Sequence, residues 1–289
     1  MWSEIADKIS AASGVPFSVR SQHSAGGGCI NAAYVIEDGG RRYFVKLNDA
    51  DRLDMFVAEA EGLEELAASR TLRVPAPICW GVADDRSYIV LEYLDLSGHG
   101  AQEALGRNLA AMHRTVRDSY GWHRDNTIGS TPQPNDWTDD WMEFMCERRL
   151  GHQLDLVLQR GAPRMKERGS ELLDRMPDLF SGYTPVASLL HGDLWSGNYA
   201  VTRGGEPVIF DPAVYFGDRE ADIAMTELFG GFERGFYAAY NEAWPLDAGY
   251  KVRKVLYNLY HVLNHYNMFG GGYGRQAEGM IDRLLAELR

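Results

Sequence analysis

The chain has 289 residues, of which 45% are hydrophobic and 24% charged, a balance typical of folded globular proteins and unlike that of disordered chains. The 29 basic and 41 acidic residues give a net charge of −12, which argues against nucleic acid and anionic membranes as partners. The N-terminus lacks a signal-peptide pattern, no apolar run of about 20 residues occurs, and the three cysteines are widely spaced. These features predict a cytoplasmic protein.

Five strands and one helix are predicted in the first 94 residues. The predicted strands are 17–24, 30–37, 41–47, 78–82 and 87–92. Between the third and fourth strands, apolar residues at helical spacing predict a helix that begins at Leu53 and ends before Val74. We therefore expect an N-terminal lobe over 1–94 with a small antiparallel sheet and one inserted helix.

The rest of the chain is predicted to be mainly helical. The predicted helices are 100–117, 137–159, 165–176, 220–229, 233–243, 249–268 and 276–288. Two short strands, 199–202 and 207–210, interrupt the helices. The fold class predicted is therefore α+β, with a small N-terminal lobe and a larger, mainly helical C-terminal lobe over 95–289.

The most informative motif is His-Gly-Asp-Leu-Trp-Ser-Gly-Asn at residues 191–198. Asp193 and Asn198 have the spacing of a kinase catalytic loop, in which Asp orients the attacking hydroxyl and Asn binds a metal. Asp211, after the strand 207–210, would be a second oxygen ligand for Mg²⁺. Asp193 alone is equally typical of a turn or an N-cap, but its combination with Asn198 and Asp211 favours phosphoryl transfer.

The N-terminal lobe contains side chains suited to hold a nucleotide. Lys46 ends the third predicted strand, where kinases place the lysine that binds the α- and β-phosphates. Glu59 in the following helix is predicted to pair with Lys46, with Glu61 as the competing partner. The alternative for Lys46 is a solvated strand end.

Two backbone segments are predicted to complete the ATP site. A glycine-rich turn between the first two strands lets N–H groups approach phosphates, although the same turn also suits a plain hairpin. The last residues of the fifth strand offer a carbonyl and an N–H group to adenine. The predicted nucleotide-binding residues of these segments are Gly26, Gly27, Gly28, Glu92, Tyr93 and Leu94.

Together, these motifs resemble the aminoglycoside and choline kinase branch of the protein-kinase-like fold. The fuller strings at 28–31, 191–198, 211–220 and 229–232 resemble the fructosamine (ketosamine) kinase family over nearly the whole chain. The resemblance implies ATP-dependent phosphorylation of the sugar 3-hydroxyl of ketosamines, such as fructosamine and ribulosamine adducts on free or protein amines, a deglycation activity. Asp193 would accept the hydroxyl proton.

The motifs depart from the protein-kinase pattern in one region. Asp211 is followed by Pro-Ala rather than Phe-Gly, and no Ala-Pro-Glu sequence follows. We therefore expect neither an activation-loop switch nor protein serine/threonine kinase activity. The alternative functions are another small-molecule kinase, acting on an amino sugar, amino alcohol or polyol, and a nucleotide-binding pseudokinase.

Four side chains are candidates for acceptor binding. Trp195 is two residues from Asp193 and would line the sugar pocket, unless it packs in the core. His261 and His265 share one helical face and could both contact the acceptor. The alternative to acceptor binding is that this face is solvated or forms a buried capping network. Asp218, like Asp222, either contacts substrate or orders a loop and caps a helix.

Cys29 ends the glycine-rich turn and matches a loop cysteine of the family. A nearby Lys46 charge would favour its thiolate and its oxidation. We therefore expect a monomer or a redox-dependent homodimer linked through Cys29, unless the residue is only a small side chain that fits the turn.

Overall fold

The structure is a computed structural model that describes residues 1–26, 30–98 and 100–288. The strands are β1 (Ser21–Ala25), β2 (Ala32–Glu37), β3 (Arg42–Asp49), β4 (Pro77–Ala83), β5 (Arg86–Glu92), β6 (Val116–Arg117), β7 (Asn126–Ile128), β8 (Thr131–Gln133), β9 (Ala187–Leu190), β10 (Tyr199–Val201), β11 (Pro207–Ile209) and β12 (Tyr215–Asp218). The α-helices are α1 (Trp2–Ser13), α2 (Leu53–Ala68), α3 (Gln102–His113), α4 (Trp141–Glu143), α5 (Leu150–Gln159), α6 (Pro163–Arg175), α7 (Glu220–Leu228), α8 (Arg234–Ala243), α9 (Tyr250–Phe269) and α10 (Gly272–Glu287).

The chain forms two compact units. The first contains Met1–Ala101 and Tyr199–Pro212, and the second contains Gln102–Asn198 and Ala213–Arg289. The hairpin β10–β11, which the sequence analysis places in the C-terminal lobe, belongs to the first unit. None of the helices in the described part of the chain is long and apolar enough to cross a membrane.

The first unit is built on the predicted five-stranded antiparallel sheet, in the order β1-β2-β3-β5-β4. Helix α2 follows β3 as predicted, and it buries Phe56, Leu63 and Leu66. Helix α1 was not predicted. Only Ile5, Ala6 and Ile9 are buried on it, and they pack in one cluster with sheet residues such as Ile36, Val45 and Val90.

The hairpin β10–β11 is hydrogen-bonded on both sides within the first unit. On one side, the Ser97 N–H donates to the Val201 carbonyl at 2.8 Å. On the other side, the Ile209 N–H donates to the Arg73 carbonyl at 3.0 Å. These bonds fix the strand that leads into Asp211.

The second unit contains the predicted helices around a three-stranded sheet in the order β12-β9-β6. Strands β9 and β12 were not predicted, because each has four residues that are all buried and therefore shows no alternation of apolar and polar side chains. They pair with each other, Leu190 opposite Tyr215, and β9 runs directly into the segment 191–198.

The helix predicted over 137–159 is interrupted by a π-helical turn at Phe144–Arg149. The turn brings the Cys146 carbonyl so close to Gly151 that a Cβ at residue 151 would lie 1.8 Å from the oxygen. Only glycine fits at this position, and the periodicity of the segment gave no signal of the extra residue in the turn.

Candidate active site

Lys46 forms a buried ion-pair centre in the first unit. It lies in β3, opposite Ala33 of β2 and Ile89 of β5, and is 6% exposed. Its Nζ is 2.5 Å from Glu59 Oε1 and 2.5 Å from Asp211 Oδ1. Because β3 continues to Asp49, Lys46 lies inside the strand and not at its end as predicted.

The charges of this centre stabilise one another. Burial alone would lower the pKa of Lys46, but the Asp211 and Glu59 carboxylates outweigh it and raise the pKa, so the amine is a cation. Burial raises the pKa of Glu59, while the Lys46 charge opposes this rise. The Asp211 side chain is 45% exposed, whereas those of Lys46 and Glu59 are 7% and 10% exposed. Asp211 is therefore the member of the centre that a ligand can reach.

Asp211 also has an unusual backbone. Its φ of +57° lies in the left-handed region, which residues other than glycine rarely adopt. Such a conformation persists where its surroundings hold it. Here the preceding strand is paired with Arg73, and the carboxylate is paired with Lys46.

The end of β5 is tied to the same region of the first unit. The Glu92 carboxylate accepts hydrogen bonds from the Arg73 guanidinium and from the Ala76 N–H at 3.3 Å. The Arg42 guanidinium lies 4.1 Å from the centre of the Tyr93 ring. These contacts fix the course of the chain from Glu92 to Leu94.

Of the predicted glycine-rich turn, Gly26 is exposed at the end of β1. The predicted phosphate-binding residues Gly27 and Gly28, and the predicted redox residue Cys29, lie outside the described residues. Cys79 and Cys146 are free thiols.

The predicted catalytic loop, residues 191–198 and called the catalytic loop below, begins at β9 in the second unit. Gly192 has a φ of +81°, and a Cβ there would lie 2.0 Å from the Ala213 carbonyl oxygen, so the turn requires glycine. The buried Asp222 carboxylate accepts the N–H groups of His191 at 2.7 Å and Gly192 at 2.9 Å. These contacts favour the loop-ordering interpretation of Asp222.

Two residues of the loop contact the predicted catalytic Asp193. His191 Nδ1 accepts the Asp193 N–H at 3.2 Å. Asn198 Nδ2 donates to the Asp193 carbonyl at 2.9 Å and to Asp193 Oδ2 at 3.3 Å. The Asn198 amide nitrogen is therefore turned toward Asp193.

The donor set of the predicted metal ligands suits a hard cation. Asn198 supplies an amide oxygen and Asp211 a carboxylate oxygen, the ligands that Mg²⁺ prefers. Over residues 1–26, 30–98 and 100–288, no group of three or more His, Cys, Asp or Glu side chains could hold a metal ion. Mg²⁺ at such sites in other proteins takes one or two protein ligands together with phosphate oxygens and water.

Trp195 lies at the surface of the second unit and not in its core. It is 39% exposed, and its ring covers Gly197, where a Cβ would lie 2.2 Å from the indole. Phe229, 42% exposed, meets the indole edge-on at 6.3 Å between ring centres. His265 lies 5.2 Å from the Phe229 ring. Trp195, Phe229 and His265 thus form a contiguous aromatic patch that starts at the catalytic loop.

Two of the four predicted acceptor residues are buried. Asp218 is fully buried and accepts hydrogen bonds from the Tyr257 and Tyr183 hydroxyls and the Glu220 N–H, which favours loop ordering and helix capping over substrate contact. His261 is 5% exposed, and burial lowers its pKa to about 3. The imidazole of His261 is therefore neutral, and its burial favours the buried-network alternative.

Sequence reasoning missed three polar residues that lie behind Asp222. His113, Tyr240 and Arg219 are all buried and hydrogen-bonded in series. The only signal for His113 is its place on the helix face that carries Leu109 and Met112, where an apolar residue is expected.

Comparison with known proteins identifies a family and relatives that match nearly the whole chain. The family model for fructosamine kinase matches residues 1–287. A Synechocystis sp. protein named probable ketoamine kinase is 49% identical over 98% of this chain and 97% of its own. The chloroplastic protein-ribulosamine 3-kinase of Arabidopsis thaliana is 46% identical over 92% of this chain and 83% of its own.

Solved structures confirm the predicted protein-kinase-like fold. A Haemophilus somnus protein, provisionally identified as fructosamine-3-kinase, has a TM-score of 0.91 at 31% identity, covering 99% of this chain and 98% of its own. An aminoglycoside phosphotransferase and the Streptococcus pneumoniae choline kinase LicA share the fold alone, with TM-scores of 0.64 and 0.62 at 16% and 15% identity. Each covers 99% of this chain and 98% of its own. On this evidence the chain belongs to the fructosamine kinase family.

Proposed function

We propose that this protein transfers the γ-phosphoryl group of ATP to the sugar 3-hydroxyl of ketoamines, on free or protein amines. Family membership supports this activity, as do relatives named ketoamine kinase and protein-ribulosamine 3-kinase. The observation that carries the proposal is the buried Lys46 held between Glu59 and the half-exposed Asp211. A cation beside an accessible carboxylate suits a nucleotide with its metal ion.

Lys46 would bind the phosphates of ATP, and Glu59 would hold the Lys46 side chain in place. Asn198 and Asp211 would hold Mg²⁺, which when bound neutralises phosphate charge. Adenine would be recognised by the Glu92 carbonyl and the Leu94 N–H, with Tyr93 between them. The Arg73 contact supports this role because it fixes the Glu92 side chain.

Asp193 would accept the proton of the acceptor hydroxyl. As the hydroxyl oxygen bonds to the γ-phosphorus, the bond from that phosphorus to the bridging oxygen breaks and ADP leaves. The hydroxyl proton passes to the Asp193 carboxylate. The contacts from His191 and Asn198 support this role, since they hold the residue in one orientation.

The acceptor sugar would pack against the aromatic patch of Trp195, Phe229 and His265. The exposure of Trp195 and Phe229 supports this assignment, because aromatic rings pack well on the C–H surfaces of sugars. The buried Asp218 and His261 would act only by supporting neighbouring residues.

The test is a phosphorylation assay of the purified protein with ATP, Mg²⁺ and a panel of fructosyl, ribulosyl and erythrulosyl amines, free and protein-bound. Mass spectrometry locates the new phosphate. We expect phosphorylation at the 3-hydroxyl, and its loss in Asp193→Asn. Phosphorylation of an amino sugar or choline, with ketoamines left unmodified, would replace the proposal by another small-molecule kinase. Nucleotide binding without phosphate transfer to any acceptor would indicate a pseudokinase.

We further propose that the protein acts in the cytoplasm as a monomer that oxidation converts to a dimer linked through Cys29. The free thiols of Cys79 and Cys146 fit a reducing compartment. Non-reducing electrophoresis after peroxide treatment, with Cys29→Ser as the control, tests the link. A dimer that persists in the variant would contradict it.

A further inference from the structure

A series of buried hydrogen bonds leads from Arg219, just before α7, through Tyr240 of α8 and His113 of α3 to the catalytic loop. Arg219 Nη1 lies 3.0 Å from the Tyr240 hydroxyl, which lies 2.8 Å from His113 Nδ1. On the other side of the ring, His113 Nε2 lies 3.1 Å from Asp222 Oδ2. Asp222 in turn accepts two backbone N–H groups of the catalytic loop. All four side chains are less than a tenth exposed.

The two ends of this series set the direction of its bonds, because the Arg219 guanidinium can only donate and the Asp222 carboxylate can only accept. A guanidinium can only donate, so the Tyr240 oxygen is the acceptor in the first contact. A neutral His113 ring has its proton at Nε2, which faces the Asp222 carboxylate, so Nδ1 accepts the Tyr240 hydroxyl hydrogen. A neutral imidazole that accepts at Nδ1 carries its proton at Nε2, and this proton is donated to Asp222.

The charges around His113 agree with a neutral ring. Burial lowers the pKa of His113, and the positive charge of Arg219 lowers it further, whereas the carboxylates of Asp222 and Asp218 oppose the shift. Burial would raise the pKa of Asp222, but its hydrogen bond from His113 and the bonds from the loop lower it overall. Asp222 is therefore an ionised acceptor with three donors.

We propose that Arg219, Tyr240 and His113 are positioning residues for phosphoryl transfer, which hold Asp222, and through it the catalytic loop, in the geometry that places Asp193. The inference rests on the proposed function, and it assigns to these residues no contact with substrate. Tyr240 is the critical link of this hydrogen-bond series, because its hydroxyl accepts from Arg219 and donates to His113.

The first test is spectroscopic and independent of activity. In ¹⁵N-labelled protein at pH 7, long-range proton–nitrogen spectra distinguish the two neutral tautomers of histidine from the imidazolium. His113→Gln identifies the signal among the eight histidines. We expect the pure Nε2–H tautomer in the unsubstituted protein. In Tyr240→Phe we expect the same tautomer with a shifted Nδ1 resonance, because Nδ1 has lost its hydrogen-bond donor. An Nδ1–H tautomer or an imidazolium at His113 in the unsubstituted protein would overturn the proposal, whatever the activity of the variants.

The second test separates positioning from packing. Tyr240→Phe keeps the ring and removes one hydroxyl, and we expect kcat to fall on the order of 10- to 100-fold with the KM for ATP nearly unchanged. Tyr237→Phe on the same helix is the matched control, because its hydroxyl contacts Thr226 and lies outside the hydrogen-bond series. We expect this control to keep kcat and the His113 Nδ1 resonance.

A rescue series completes the kinetic test. His113→Gln retains an N–H that can donate to Asp222, whereas His113→Leu does not, so we expect Gln to keep more of kcat than Leu. Equal kcat in Tyr240→Phe and the unsubstituted protein would overturn the inference while leaving the kinase proposal intact. An unsubstituted protein inactive on all ketoamines would instead refute the proposed function, and the tautomer result would remain a separate measurement.

Discussion

The two compact units hold their proposed functional residues by different interactions. In the first unit, Lys46 contacts Glu59 and Asp211 through ion pairs between side chains. In the second unit, Asp222 holds the catalytic loop through backbone N–H groups, behind a neutral histidine. The groups proposed to bind phosphates and a metal are thus paired with one another, whereas the loop proposed to act on a hydroxyl is fixed by hydrogen bonds.

The two arrangements differ in how easily a ligand could replace their contacts. An ion pair with a half-exposed member can exchange partners when a ligand brings its own charges. A buried carboxylate with three donors cannot release one without leaving an unpaired group, which is costly. Substitutions in the ion pairs of Lys46 should therefore alter nucleotide and metal dependence, whereas substitutions in the hydrogen bonds behind the catalytic loop should alter turnover.

The largest effect is expected for Asp193→Asn. Turnover should fall on the order of 10²- to 10⁴-fold, because the amide cannot accept the hydroxyl proton. ATP affinity, measured by isothermal titration, should stay within a few-fold. Asp85→Asn, at an exposed turn, is the control. Near-normal turnover would remove Asp193 from the catalytic role.

The next effect concerns Asp211→Ala and Asn198→Ala, each of which removes a proposed oxygen ligand of Mg²⁺. Activity should fall on the order of 10²-fold and recover in part at high Mg²⁺, since the remaining ligand and the phosphates still bind the ion. The measurement is a magnesium titration of the initial rate. Variants that keep the midpoint of the unsubstituted protein would show that the metal assignment is wrong.

Lys46→Met tests the ion-pair centre through its pH dependence. Without the cation, burial and the Asp211 charge both raise the pKa of Glu59, so the protonated form is favoured in the folded state. The loss of stability should be small below the usual glutamate pKa and should grow as the pH rises through the raised value, reaching about 3–5 kcal/mol.

Urea unfolding at pH 5 and pH 8 measures this loss. The double variant Lys46→Met with Glu59→Gln is the matched control, because it lacks the titrating carboxylate and should show less dependence on pH. An equal loss in the single variant at both pH values would contradict the assignment of Glu59 as the buried partner.

The smallest effect is expected for Trp195→Ala. Loss of the exposed indole should weaken acceptor binding by about 1–3 kcal/mol and reduce discrimination among sugars, while ATP binding is retained. The measurement is kcat/KM across the ketoamine panel. Trp137→Ala, at another exposed tryptophan, is the control. An unchanged acceptor profile combined with a lower melting temperature would instead assign Trp195 a packing role.

The sequence predicted the sheet of the first unit and most helices, because these depend on local periodicity. Helix α1 escaped prediction, since its apolar face is short and is recognisable only against the sheet that covers it. The π-helical turn was not predicted either, because one extra residue in a helical turn does not change which residue types the segment contains. The approach of the Cys146 carbonyl to Gly151 is a contact between two successive helical turns, which the spacing of apolar residues does not reveal.

The sequence by itself determined the spacing of Asp193 and Asn198, the glycine at the turn before Asp193, and the family. Only the tertiary structure decided that Glu59 contacts Lys46, that Asp218 and His261 are buried, and which residues lie behind Asp222. The physical reason is that spacing and backbone conformation are set by residues close in sequence. Burial and the choice of a hydrogen-bond partner depend instead on distant segments, such as α3 and α8, that meet only when the chain has folded.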